Sequence, residues 1–285
     1  MKPIYAFLQV CLISTIFIAG TASAWQRDEG RGEILVLGDS VAFSYIASAG
    51  YGYVNPDNFV GFPLYLDRVL GLDPVDAACP GETTGSFLSA TAPDLGCRVF
   101  RKNFPLHVSY GGTQLEFAKR YLKSHRDVRV VTITLGSNDG FLLEASCNLD
   151  PTCILAGLPA IGNNIATILS DLRATGYDGA IVLTNYYSID YTDIPFTELT
   201  AALNAAIAAP AAAYGAVVAD VFTAFQQAVV PFTNSLGNNT CQAGLLNVAN
   251  PIAAAPPFAC DIHPTQSGHQ LIAETIARAI RETKR

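Results

Sequence analysis

The sequence predicts an α/β fold, with a parallel sheet covered by helices on both faces. Three observations point there. Short β-rich runs alternate with helical patterns along the chain. The strongest of those runs are almost continuously apolar, as strands buried on both faces are. Helix candidates between them carry apolar residues at three-to-four spacing. No repeat, charge block or linker-like stretch intervenes, so a single domain is expected over residues 25–285.

Residues 1–24 are set aside first. Lys2 gives a basic start, Ile4 to Gly20 is mostly apolar, and Ala22-Ser23-Ala24 matches a small-residue cleavage site. That is the pattern of a secretory signal peptide, removed near Ala24 on export. Strands are then expected at Glu33–Leu37, Pro74–Ala78, Val128–Leu135, Ala180–Tyr186 and Ala216–Ala219, the second and fifth weaker than the rest. Phe62–Leu70 and Thr113–His125 read as short helices. Leu158–Thr175 reads as a longer one, with a stripe of Ile161, Ile165, Ile168, Leu169 and Leu172 and a stop at Gly176. Glu198–Tyr214 is Ala-rich and helix-prone, with Pro210 set to break it. A last helix over Thr265–Glu282 buries Leu271, Ile272, Ile276 and Ile280 and gathers cations near its C-terminal end. Residues 86–112 and 230–260 are expected as long irregular loops.

Composition narrows the partners. The formal charge is −7, which argues against nucleic acid and against an anionic membrane surface. Arg98, Arg101 and Lys102 form a small basic cluster, read as a solvated loop rather than an anion site. No apolar run after the signal reaches membrane-spanning length, and a monomer is expected. Cys11 leaves with the signal, and the six remaining cysteines suit disulfides in a secreted chain. Nearest-neighbour pairing (Cys79–Cys97, Cys147–Cys153, Cys241–Cys260) would close one local loop after each motif block. Without a Cys-x-x-Cys pair or clustered histidines, neither a metal nor a cofactor is expected. The sequon Asn238-Asn239-Thr240 is isolated and carries no weight in a bacterial host.

The chemistry-bearing residues lie where strands end. Gly38-Asp39-Ser40 puts a hydroxyl at the carboxyl end of the first strand and at a helix entrance, where backbone N–H groups favour developing negative charge. Gly136-Ser137-Asn138-Asp139 follows the third run, and its side-chain amide could donate to an oxyanion at Ser40. Gly81 could offer a backbone N–H with no side chain in the way. Each block alone is also good turn chemistry. Of the four histidines, His107 sits in a loop, His125 ends a helix and His269 falls inside the last helix, as a surface or packing residue. Only His263 follows an acid, Asp261, at a helix entrance.

Taken together, Gly-Asp-Ser, Gly-Glu-Thr-Thr, Gly-x-Asn-Asp and a C-terminal Asp/His pair with Pro264 resemble the SGNH (GDSL) family of serine esterases and lipases. Cys-Pro-Gly-Glu-Thr-Thr also resembles the secreted, cysteine-bearing bacterial members. The resemblance implies a three-layer α/β/α sandwich, flavodoxin-like, on a mainly parallel five-stranded sheet. It implies Ser40 as nucleophile, His263 as general base, and an oxyanion hole of the Ser40 N–H, the Gly81 N–H and the Asn138 amide. Two departures accompany it. The family acid stands three residues before the histidine, where this chain has Cys260, so either Asp261 orients the imidazole or a backbone carbonyl does. Ser44 stands where relatives often carry glycine. The expected substrate is a small-molecule or lipid ester, with Phe43, Tyr45, Tyr51, Tyr53, Tyr186 and Tyr187 either lining an acyl pocket or packing the core. A carbohydrate O-deacetylase, an acyltransferase and a non-catalytic secreted binding module are the alternatives.

Overall fold

A computed structural model describes residues 31–232, 239–248 and 260–282. The signal segment 1–24, Asn238, Lys284, Arg285 and the Tyr51 side chain lie outside them. In chain order the elements are β1 (Glu33–Gly38), α1 (Ser40–Phe43), α2 (Phe62–Leu70), β2 (Asp73–Asp76), α3 (Thr84–Leu88), α4 (Cys97–Asn103) and α5 (Gln114–Ser124). Then come β3 (Val128–Thr134), α6 (Ser137–Ser146), α7 (Pro151–Arg173), β4 (Ala180–Thr184), α8 (Ile194–Ala208), β5 (Ala216–Ala219) and α9 (Val221–Ala228). The described chain closes with α10 (Asn239–Gln242), β6 (Leu246–Val248), β7 (Cys260–Pro264) and α11 (Gln266–Glu282).

Five strands form one parallel sheet in the order β2-β1-β3-β4-β5, the expected α/β/α sandwich. Alternation along each strand divides the core in two. Ile34, Val36, Val130 and Val182 face one layer with Phe62, Leu66, Ile272, Ile276 and Ile280, from α2 and α11. Leu35, Leu37, Val131, Ile133 and Leu183 face the other, where Leu115 and Leu122 of α5 meet Ile165, Ile168, Leu169 and Leu172 of α7. Each fully buried aliphatic side chain contributes about 2 kcal/mol of transfer free energy, which makes these two stripes the main cohesion of the sandwich. The order reverses between β1 and β3, and at such a switch point the carboxyl ends of the strands leave a crevice.

Several elements differ from expectation. Helix α7 starts at Pro151, seven residues early, because the Asp150 carboxylate caps Thr152 N at 2.9 Å and proline suits the first turn. At 23 residues it is long and apolar enough to cross a membrane, contrary to the sequence expectation. Its Ile165–Leu172 stripe lies fully buried against the sheet, as in a core helix. The loop expected at 86–112 holds the end of α3 and all of α4, and the one at 230–260 holds α10 and β6. Strand β7 pairs antiparallel with β6 as a small second sheet, so His263 lies on a strand rather than in a plain helix entrance. Arg98 and Arg101 are structural rather than free in a solvated loop. Arg98 pairs with Asp94 at 3.0 Å, and Arg101 stacks over the Tyr110 ring and donates to the Tyr110 and Gly112 carbonyls.

Candidate active site

Ser40 opens α1 directly after β1 and is 9 % exposed. Asp39 caps that helix by accepting from Val41 N at 2.9 Å, while its other oxygen accepts from Tyr186 Oη at 2.5 Å and Ser137 Oγ at 3.1 Å. Burial pushes the Asp39 carboxyl up to about 6, against the pull of those donors and of His263. The turn needs Gly38: at φ +141° its Cβ would run into the Thr134 carbonyl. Ser44 ends α1 in the left-handed conformation, φ 65°, which explains in physical terms why a glycine would also suit that position.

Asn138 lies in the first turn of α6, at the carboxyl end of β3, and is buried. Its Nδ2 donates to the Glu82 carbonyl at 2.8 Å, and the second amide hydrogen has no acceptor among the described residues. Next to it, Asp139 accepts from Thr84 N at 2.8 Å and Thr84 Oγ1 at 2.6 Å, stitching α6 to the start of α3. Gly81 occupies φ +84°, where a Cβ would strike the Leu95 carbonyl, and its N–H has no acceptor among the described residues. The sequence thus brings the Gly81 loop and Asn138 to one carbonyl, although they stand far apart in the chain.

His263 is 8 % exposed on β7. Its Nδ1 is 2.6 Å from Asp261 Oδ1, and Asp261 also accepts from the His263 N–H at 3.3 Å. Burial alone would raise the Asp261 carboxyl, but the hydrogen bonds and charge of His263 hold it below the usual carboxylate value. A spacing of two residues along an extended strand therefore suffices for the carboxylate to reach the ring. The ribbon is fixed from both sides: Tyr187 Oη donates to the Ile262 carbonyl at 2.5 Å, and Asn247 Nδ2 donates to the carbonyls of His263 and Pro264. The Tyr45 ring meets the imidazole edge-on at 4.8 Å. His269 instead packs in the core, and burial drives its imidazole down to about 3.

Ser40 and His263 line one cavity of about 90 Å³ without a hydrogen bond between them, a looseness common before substrate binds. Its other walls come from Phe141, Ile154, Leu158, Tyr187, Phe196 and Leu203, on α6, α7, α8 and the β4 exit. Tyr186 and Tyr187 of the expected aromatic set therefore border the cavity, whereas Phe43, Tyr45 and Tyr53 pack with Phe59 and Phe100. A larger hollow of about 300 Å³ lies between α2, β2 and His107. Its lining hydroxyl is Ser44, and neither Ser40 nor His263 lines it. Disulfides join Cys79 to Cys97, Cys147 to Cys153 and Cys241 to Cys260.

The sequence profile of the GDSL-like lipase/acylhydrolase family matches residues 36–271. No curated protein matches the chain. Among solved structures, the lipase Lip_vut3 from a goat rumen metagenome is 15 % identical, with a TM-score of 0.55 over 87 % of this chain and 97 % of its own. An alpha/beta hydrolase enzyme from the Lake Arreo metagenome, Spain, is 14 % identical, with a TM-score of 0.52 over 88 % and 95 %. The acetylxylan esterase Axe2 of Geobacillus stearothermophilus is 15 % identical, with a TM-score of 0.50 over 87 % and 94 %. At such identities the likeness speaks for the fold alone.

Proposed function

The chain belongs to the GDSL-like lipase/acylhydrolase family, and on that premise we propose that this hydrolase cleaves carboxylic esters, with Ser40 as nucleophile and His263 as general base. The observation that carries the reading is the cavity shared by Ser40 and His263, with Asp261 bound to the far side of the imidazole. His263 takes the Ser40 proton through Nε2, since Nδ1 is engaged by Asp261. Ser40 Oγ attacks the ester carbonyl carbon, and the oxyanion meets the Ser40 N–H, the Gly81 N–H and the free Asn138 amide hydrogen. Collapse returns the proton to the departing alcohol and leaves an acyl-enzyme, which water hydrolyses with the same base.

Asp261 orients the imidazole and stabilises the imidazolium that forms in this reading, which makes the unit a Ser-His-Asp triad. The apolar walls of the cavity suit the acyl part of a small-molecule or lipid ester. Three disulfides and the N-terminal signal pattern support export to an oxidising compartment after cleavage near Ala24. The test is hydrolysis of p-nitrophenyl esters of increasing chain length by the mature protein, with Ser40→Ala beside it. Turnover that vanishes in the variant supports the reading, and the preferred chain length places the enzyme between esterase and lipase. Turnover that survives in Ser40→Ala overturns it.

A further inference from the structure

We propose that Glu82 and Gln114 form a positioning pair that sets the spacing of the oxyanion donors. The proposal rests on the Ser40–His263 reading and deepens it. Gln114 is fully buried at the start of α5. Its Oε1 accepts the Gly38 N–H at 2.6 Å, and its Nε2 donates to the Gly38 carbonyl at 3.0 Å and to Glu82 Oε2 at 3.1 Å. A primary amide presents an acceptor and a two-hydrogen donor side by side, so one side chain closes on both backbone groups of a residue and still reaches a third partner. Gly38 has no side chain with which to anchor its own turn, and the Thr134 carbonyl leaves no room for one. Gln114, 76 residues away, anchors it, beside the Cys79 N–H that donates to the same Gly38 carbonyl at 3.0 Å.

Glu82 holds the other side. It follows Gly81 directly, its backbone carbonyl takes the Asn138 amide at 2.8 Å, and its carboxylate accepts from Gln114 and from Ser86 Oγ. All three donor groups therefore hang on one two-residue link. The Ser40 N–H lies two residues beyond the clamped Gly38, the Gly81 N–H is adjacent to Glu82, and Asn138 is bound to Glu82 itself. A buried carboxyl is a costly way to fill space, so a geometric role accounts for it better than packing does. Neither side chain lines the cavity, so both act through the donors they hold. An ångström of misplacement at such donors costs about 100-fold in rate.

The experiment measures p-nitrophenyl butyrate turnover, inactivation by a p-nitrophenyl phosphonate, and thermal unfolding for Gln114→Leu, Glu82→Ala, Glu82→Gln and Ser40→Ala. In folded Gln114→Leu and Glu82→Ala, kcat is expected to fall about 100-fold with KM within about threefold, and phosphonylation of Ser40 to slow in parallel. Glu82→Gln keeps an acceptor for Gln114 and can donate to Ser86, so it should retain kcat within about fivefold. A loss carried by KM, a kcat unchanged in Gln114→Leu, or an equal loss in Glu82→Gln overturns the pair. Should Gln114→Leu not fold, Glu82→Ala and Glu82→Gln decide by the same criteria. Turnover persisting in Ser40→Ala removes the serine reading itself. A silent Ser40→Ala beside fully active Gln114→Leu and Glu82→Ala removes only the positioning pair.

Discussion

The two halves of the site are built differently. Ser40 and Asn138 stand at the ends of β1 and β3, adjacent strands whose residues Ile34–Leu37 and Val131–Ile133 are almost wholly buried. Their positions follow from the sheet. His263 stands on β7, outside that sheet, in a two-stranded ribbon braced internally by Asn247 of β6 and tied to the body by Tyr187 and the Cys241–Cys260 bridge. One half is held by the fold and the other by a few cross-links. In the proposed reading the sheet places the nucleophile and Gln114 clamps its Gly38 turn, whereas the base on the rim depends on cross-links outside the sheet.

The contrast orders the expected effects. Ser40→Ala and His263→Ala remove the chemistry from either half, and kcat should fall by about 10⁴-fold or more in both while thermal unfolding stays cooperative. Unequal losses of several orders would break the symmetry of the assignment. Asp261→Asn acts on the rim half alone, by taking away the charge that orients the imidazole, and kcat should drop by about 10²-fold or more. Near-normal turnover at pH 8 in that variant would leave a Ser-His dyad.

Replacing Cys241 and Cys260 together by serine sharpens the comparison further. The bridge closes a loop of 19 residues, so its loss should cost about 3 kcal/mol. Because it loosens the base and not the nucleophile, kcat should fall about tenfold even where calorimetry finds the chain fully folded. The double substitution of Cys147 and Cys153, which span six residues between α6 and α7, serves as the control. Turnover there should stay within about twofold, and equal kcat losses in the two double variants would erase the distinction between halves.

The smallest effect is on stability against pH. Burial raises Asp39 and Asp76 to about 6 and Glu82 to about 7, each above its unfolded value. The native state therefore binds more protons than the unfolded chain between roughly pH 4.5 and 6, and stability falls as pH rises through that window. His269, held down at about 3, works in the opposite sense below 6.5 and offsets one of the three. The net expectation is a higher Tm at pH 5 than at pH 7.5 by calorimetry. Asp39→Asn should flatten that slope, and a Tm that rises from pH 5 to 7.5 would contradict the buried-carboxyl account.

The sheet half was legible in the sequence for a physical reason. Strands buried on both faces are apolar without interruption, so β1, β3 and β4 announce themselves, and Gly38 and Asn138 mark their ends. The rim half was not. Strand β6 has three residues and pairs with β7 across a long separation, which no local pattern encodes. Helix α6 hid behind Ser-Asn-Asp-Gly, residues that favour turns as readily as a first helical turn. The Thr113–Glu116 capping box explains why α5 begins where it does. Nothing local in the sequence indicates that Gln114, the residue after Thr113, reaches Gly38. Asp261 was visible, but its contact with His263 depended on the extended backbone of β7.

The bridge on the rim also ties the enzyme's working state to where it is. In a reducing compartment Cys241 and Cys260 remain thiols, and the ribbon that carries the imidazole then keeps its backbone and side-chain hydrogen bonds but loses its covalent tie to α10. The sheet can form there, with its serine in place. In the proposed reading catalysis would then be weakened about tenfold, as in the variant that lacks Cys241 and Cys260.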